Sequence, residues 1–180
     1  MTDSEIRELV ELFKEAETNI KLAELEDNQG FSLPAVNEFR YALKHLTVYL
    51  ENEKAEEFTQ CKAHIKRAIC DALEMRILVG LERVRRFDFR YRFVSISPII
   101  SNWISLRKDL ENAKKLLASN DENIGRVLVL TKSLEQLNIV LETIEAARSE
   151  LNKSLFKRFF SFIGSVIAFL AACLTIYKLI

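Results

Sequence analysis

The 180 residues amount to about one domain, and 26 Lys and Arg balance 26 Asp and Glu, so no whole-chain field draws the protein to nucleic acid or lipid. Four glycines and two prolines argue against a sheet-rich fold, and three cysteines (Cys61, Cys70, Cys173) in no metal-ligand spacing argue against a zinc or disulfide framework. A reducing cytosolic compartment fits those cysteines, and the polar, acidic start Met1-Thr2-Asp3-Ser4-Glu5 lacks the pattern of a secretory signal.

Thr2-x-x-Glu5 has the form of a capping box, and Ile6, Leu9, Phe13, Ala16 and Ile20 follow at helical spacing, predicting a first helix that ends near Asp27-Asn28-Gln29-Gly30. Ser32-Leu33-Pro34 then supplies an N-cap and an early proline for a second helix, with Val36, Phe39, Leu43, Leu46 and Leu50 as its apolar face. Beyond a polar break at Glu51 to Lys54, Phe58, Cys61, Ile65, Ala68, Ala72, Met75 and Val79 predict a third helix that packs antiparallel on the second.

Between Glu82 and Val94 the pattern changes. Arg83, Arg85, Arg86, Arg90 and Arg92 interleave with Phe87, Phe89, Tyr91 and Phe93, an alternation that predicts an extended segment. Such a segment suits RNA phosphates and bases, anionic lipid headgroups, or a solvated salt-bridged face. After Ser95 and Ser97-Pro98, the residues Ile99, Ile100, Trp103, Leu106, Leu110, Ala113 and Leu117 mark another amphipathic helix, closed by a turn at Asn120-Asp121-Glu122.

Val127, Leu130, Leu134, Leu137, Leu141, Ile144, Leu151 and Leu155 then form a heptad stripe suited to helix packing. No strong breaker separates this stripe from the C-terminal apolar stretch, so a continuous helix of roughly 60 residues, about 90 Å long, is predicted. Phe159 through Tyr177 carries no charge and is long enough to cross a bilayer as a helix. Lys157 and Arg158 precede it and Lys178 follows, so the positive-inside rule places the preceding domain in the cytoplasm. The division is therefore a cytosolic helical domain at 1–156 and a single transmembrane helix at 157–180.

Within the span, Gly164, Ala168 and Ala172 recur every four residues, which suits close helix approach and a homo-oligomer. Ser161, Ser165 and Thr175 are candidates for the weakly polar lining of a pore enclosed by several such helices.

Both histidines fall on the helix hairpin. Asn37, His64, Arg67 and Asp71 make a predicted polar cluster, with Arg40, Tyr41, Lys44 and His45 beside it and Asp71 one turn from Arg67 as its ion-pair partner. Arg40-Tyr41-Ala42-Leu43-Lys44-His45 resembles the Arg-x(4–6)-His motif of HEPN domains, small helical bundles that often act as ribonucleases. Active members place a polar residue directly after the arginine. Tyr41 stands there in this chain, so the motif is divergent and a non-enzymatic role is expected. The whole chain, an all-α HEPN-like bundle with a C-terminal single transmembrane helix, resembles the small membrane accessory proteins of type VI-B CRISPR systems. That resemblance implies a protein of the bacterial inner membrane that works alongside an RNA-guided RNase. It also implies a homo-oligomeric pore that depolarises the membrane in anti-phage defence. The alternatives are a membrane-tethered ribonuclease using Arg40 and His45, or a tail-anchored scaffold. No metal site, phosphate loop or cofactor is expected.

Overall fold

A computed structural model describes residues 2–27, 33–118 and 125–179, with side chains up to residue 172. Its secondary structure is wholly helical among the described residues: α1 (Asp3–Asp27), α2 (Leu33–Asn52), α3 (Ala55–Arg90), α4 (Trp103–Ala118) and α5 (Arg126–Leu179). The predicted turns at 28–30 and 120–122, the Ser32 cap, and the side chains of Cys173 and Thr175 lie outside the described residues.

The capping box forms. The Thr2 backbone nitrogen donates to Glu5 Oε2 at 2.7 Å and the Glu5 backbone N–H donates to Thr2 Oγ1 at 3.3 Å, which satisfies two groups at the open end of α1. These bonds hold the Glu5 carboxyl below its ordinary range.

α3 is the central element, about 54 Å long at 1.5 Å per residue, and it packs against α1, α2 and α5, while α4 packs on α5. Ion pairs and side-chain hydrogen bonds fix the directions. Glu8–Lys62 and Glu26–Arg76 make α1 parallel to α3, and Glu74–Arg126 with Tyr91–Asn152 makes α5 parallel to it as well. Glu38–His64 and His45–Glu57 make α2 antiparallel. α1 and α2 therefore flank the first half of α3, and α4 and α5 flank the second.

The apolar face of α2 includes the predicted Phe39 and Leu46 but not Leu43 and Leu50. Ala35 and Ala42 are buried, with Phe39, Leu46 and Tyr49 packed on the core, whereas Leu43 and Leu50 are 60% and 64% exposed. Small residues let the α2 backbone come close to α3, and that contact sets the rotation of the helix against its larger side chains.

The segment 82–94 is not extended. α3 continues through Arg90, because Ile77, Gly80, Val84, Phe87 and Tyr91 fall on one helical face and are buried, and Glu82 bonds both Arg85 and Arg86 one turn ahead. The Tyr91 N–H still donates to the Phe87 carbonyl at 3.0 Å before the chain turns.

α5 is one continuous helix of 54 residues. Its heptad residues Leu130, Leu134, Leu137, Ile144 and Leu151 are buried in the core of the same chain, so that stripe is used internally and is not open to a second subunit. Where α3 packs on α5, a Cβ added to Gly80 would stand 2.5 Å from Leu137 Cδ2, so a side chain there has to displace the buried Leu137.

Candidate functional site

Leu155 is the last α5 side chain packed against the core. Beyond it Phe156, Phe159, Phe160, Phe162, Ile167, Phe169 and Leu170 are each more than half exposed. By length and composition this is the one helix, among the described residues, apolar enough to cross a membrane. Leaving those seven side chains in water forgoes on the order of 10 kcal/mol of burial, far more than an ordinary surface carries. A Cβ built on Gly164 meets nothing within 4 Å, so the stripe it shares with Ala168 and Ala172 is uncovered. Ser165 Oγ donates to the Ser161 carbonyl at 2.9 Å, which satisfies that hydroxyl within its own helix. At the upper end of this stretch the Arg158 guanidinium donates to the Phe93 carbonyl, tying the chain after α3 to α5.

The second group of residues lies at the opposite end of α3. His45 Nδ1 is 2.6 Å from Glu57 Oε2, and His64 Nδ1 is 2.7 Å from Glu38 Oε2. An ionised carboxylate only accepts, so in the Glu57 contact His45 Nδ1 carries the hydrogen and its Nε2 is left as the basic nitrogen when the ring is neutral, whereas His64 Nδ1 is shared between the Glu38 carboxylate and the donor-only Arg67 guanidinium. The two rings stack, and Tyr41 lies tilted on His64 with centroids 5.4 Å apart. Arg67 reaches Glu38 at 3.7 Å with its guanidinium 3.1 Å from His64 Nδ1.

Several predicted members fall elsewhere. Arg40 is exposed and bonds Asn37 at 3.5 Å, so Arg40 and Asn37 pair with each other at the surface. The arginine standing with the histidines is Arg67. Asp71 does not pair with Arg67, whose carboxylate partner is Glu38. Burial, then Glu38 and Glu74, push the Asp71 carboxyl up to about 6 against the pull of Arg67. Glu38 and Glu57 were missed from sequence. Glu38–His64 and His45–Glu57 are both satisfied by a single antiparallel register, with a step of seven residues along each helix, and such a register would have revealed them.

The arginines of the third group divide by role. Arg85 and Arg86 pair with Glu82, and Arg92 lies over the Phe89 and Phe93 rings at 4.3 and 4.7 Å. Arg83 has no ion-pair or hydrogen-bond partner among the described residues, and Arg90 has a 3.5 Å contact with Asn152 Oδ1, the same oxygen that accepts from Tyr91 Oη at 2.7 Å. Phe89 and Phe93 are about two-thirds exposed. Burial pushes the Cys70 thiol up to about 11 and raises that of Cys61, so neither is a thiolate nucleophile.

Compared with known proteins, the chain matches no family model, no curated protein and no solved structure.

Proposed function

We propose that the protein is a membrane effector whose α5 crosses a bilayer beyond Phe156 and holds the helical bundle at the cytosolic surface. The observation that carries this reading is the row of exposed apolar side chains from Phe156 to Leu170, a stretch of α5 that no other element covers among the described residues. Lipid is the solvent such a surface requires. Exposed Phe89 and Phe93, with Arg92, Lys157 and Arg158 close by in the fold or sequence, supply the aromatic and basic flank expected where a bundle meets headgroups.

Oligomerisation through Gly164, Ala168 and Ala172 is the second part of the proposal. With the heptad stripe used inside the subunit, this small-residue line is the face left for helix association in lipid. A ring of such helices makes a pore that depolarises the membrane. The resemblance to type VI-B accessory proteins supplies the setting, defence beside an RNA-guided RNase. Native mass measurement in mild detergent and potassium efflux from loaded liposomes test it together. Discrete oligomers with efflux support the pore. A monomer that resists carbonate extraction but leaks nothing reduces the protein to a tail-anchored scaffold, and a chain washed off by carbonate removes the membrane reading altogether.

A second reading rests on the two carboxylate–histidine pairs, an arrangement able to orient Nε2 for acid–base chemistry on RNA. A His45→Ala, His64→Ala double variant that loses RNA cleavage while keeping its oligomer would favour it.

A further inference from the structure

Between α3 and α5, at the end of the bundle nearer the apolar stretch, lies an open cleft of about 310 Å³. Arg83, Arg86 and Arg90, on successive turns of α3, line it together with Arg148 of α5, and Glu145 is the one carboxylate among its lining residues. Leu141 and Ile144 form an apolar side. Glu145 is engaged by Arg148 at 2.9 and 3.2 Å, and Glu82, outside the cleft, takes Arg86. Arg83 and Arg90 are left without a carboxylate among the described residues. Like charges three and four residues apart on a helix repel, and a concave surface concentrates their field, so the cleft is built to receive an anion. Guanidinium forks match phosphate oxygens two at a time.

We propose that this cleft binds a soluble phosphorylated organic molecule of about mononucleotide size, its phosphate held by Arg83 and Arg90 and its apolar part laid against Leu141 and Ile144. The volume falls at the small end of ligand sites, which favours one phosphate-bearing group with one ring system over a polymer. Position favours a soluble source over a lipid headgroup. Arg90 is level with Asn152, about 6 Å before Phe156, but Arg83 stands about 10 Å farther back along α3, beyond the reach of a headgroup layer only about 5–8 Å deep. This last step rests on α5 entering a bilayer, but binding in detergent does not, so failure of one leaves the other standing. A ligand bridging α3 and α5 just above the apolar stretch is placed to bias how that helix is presented, which makes the cleft a regulatory site.

Isothermal titration of the full-length protein in detergent, with AMP, inorganic phosphate and adenosine as probes, decides the matter. AMP is expected to bind saturably and at least 10-fold more tightly than adenosine, and Arg83→Ala with Arg90→Ala to weaken it at least 10-fold at an unchanged melting temperature. Glu145→Gln, which removes the wall's carboxylate, is expected to tighten AMP several-fold. Arg85→Ala, on the same helix but outside the cleft, is expected to stay within about 2-fold. No saturation by millimolar AMP, equal binding of adenosine, or an affinity indifferent to Arg83 and Arg90 overturns the proposal. So does binding confined to phosphatidic acid nanodiscs that AMP does not displace, which would assign the arginines to the lipid surface.

Discussion

The imidazoles of His45 and His64 lie face to face, 5.0 Å between centroids and 15° from parallel, and each is anchored by a carboxylate from the opposite helix of the α2–α3 hairpin. The pairing spans the α2–α3 contact, the most extensive between two helices among the described residues. Replacing His64 by alanine removes the bond to Glu38, the stack on His45 and the contact with Tyr41, and leaves a half-buried carboxylate with Arg67 as its cation and Asp71 opposing its charge. A loss of about 1–3 kcal/mol in urea unfolding is expected. Arg40→Ala, which removes a long surface contact, is expected to leave the midpoint unmoved. A reversal of the two results would mean that Arg40, not the ring stack, holds the hairpin.

Asp71 gives that hairpin a pH dependence. Its carboxyl, ordinarily 3.8, sits at about 6 because burial, Glu38 and Glu74 all oppose its charge while Arg67 partly restores it. A carboxyl whose folded pKa is raised binds its proton more tightly in the folded chain, so stability falls as pH rises from about 4 through 6. The bound on that loss is about 3 kcal/mol, and solvent screening of a half-exposed group brings it lower. Asp71→Asn is expected to raise the melting temperature at pH 7.5 and to flatten the slope between pH 4 and 6, with little change at pH 3.5. An equal shift at both ends of the range would show that shape, not charge, is what Asp71 contributes.

Two glycines on long helices answer different constraints. At Gly80 a side chain meets Leu137, itself fully buried, so Gly80→Val is expected to cost at least about 2 kcal/mol of monomer stability by overpacking. At Gly164 a side chain meets open space within the subunit. Gly164→Val should therefore leave the bundle's unfolding unchanged and act only on assembly, lowering the oligomer's mass in detergent. A Gly164→Val protein with an intact oligomer would remove the small-residue stripe from the interface.

The sequence disclosed helix number, the capping box and the unbroken α5 because these depend on local spacing and on the absence of breakers. Its misreadings occur where tertiary packing chooses between adjacent faces. Leu43 and Leu50 are as apolar as any core residue, yet Ala35 and Ala42 lie inward because α3 approaches closely there. The arginine–aromatic alternation near Phe89 mimics a strand over a few residues, but Val84, Phe87 and Tyr91 extend a stripe that began at Phe58, a range too long for a strand to explain. Glu38 and Glu57 carried no sequence signal of their own, since acidic residues are common on helix surfaces and only the hairpin register brings them to the histidines.

Arg126 links three elements at the point where α5 begins. Its guanidinium donates to the carbonyls of Leu116 and Leu117 at 2.9 and 3.0 Å and to Glu74 Oε1 at 2.8 Å, so it closes the C-terminal end of α4 and fastens α5 to the middle of α3. Helix-end carbonyls have no partner within their own helix, and a cation there also opposes the negative end of the helix dipole. The side chain is 16% exposed, which shields the bonds from competition with water. Arg126→Ala is expected to lower stability by about 2–4 kcal/mol and to speed amide exchange in the last turn of α4, while Arg126→Lys, one donor head in place of a fork, recovers part of the loss. If exchange in α4 accelerates without a change in global unfolding, the arginine caps α4 alone. If both move together, it is also the fastening that keeps the base of α5 seated on the bundle.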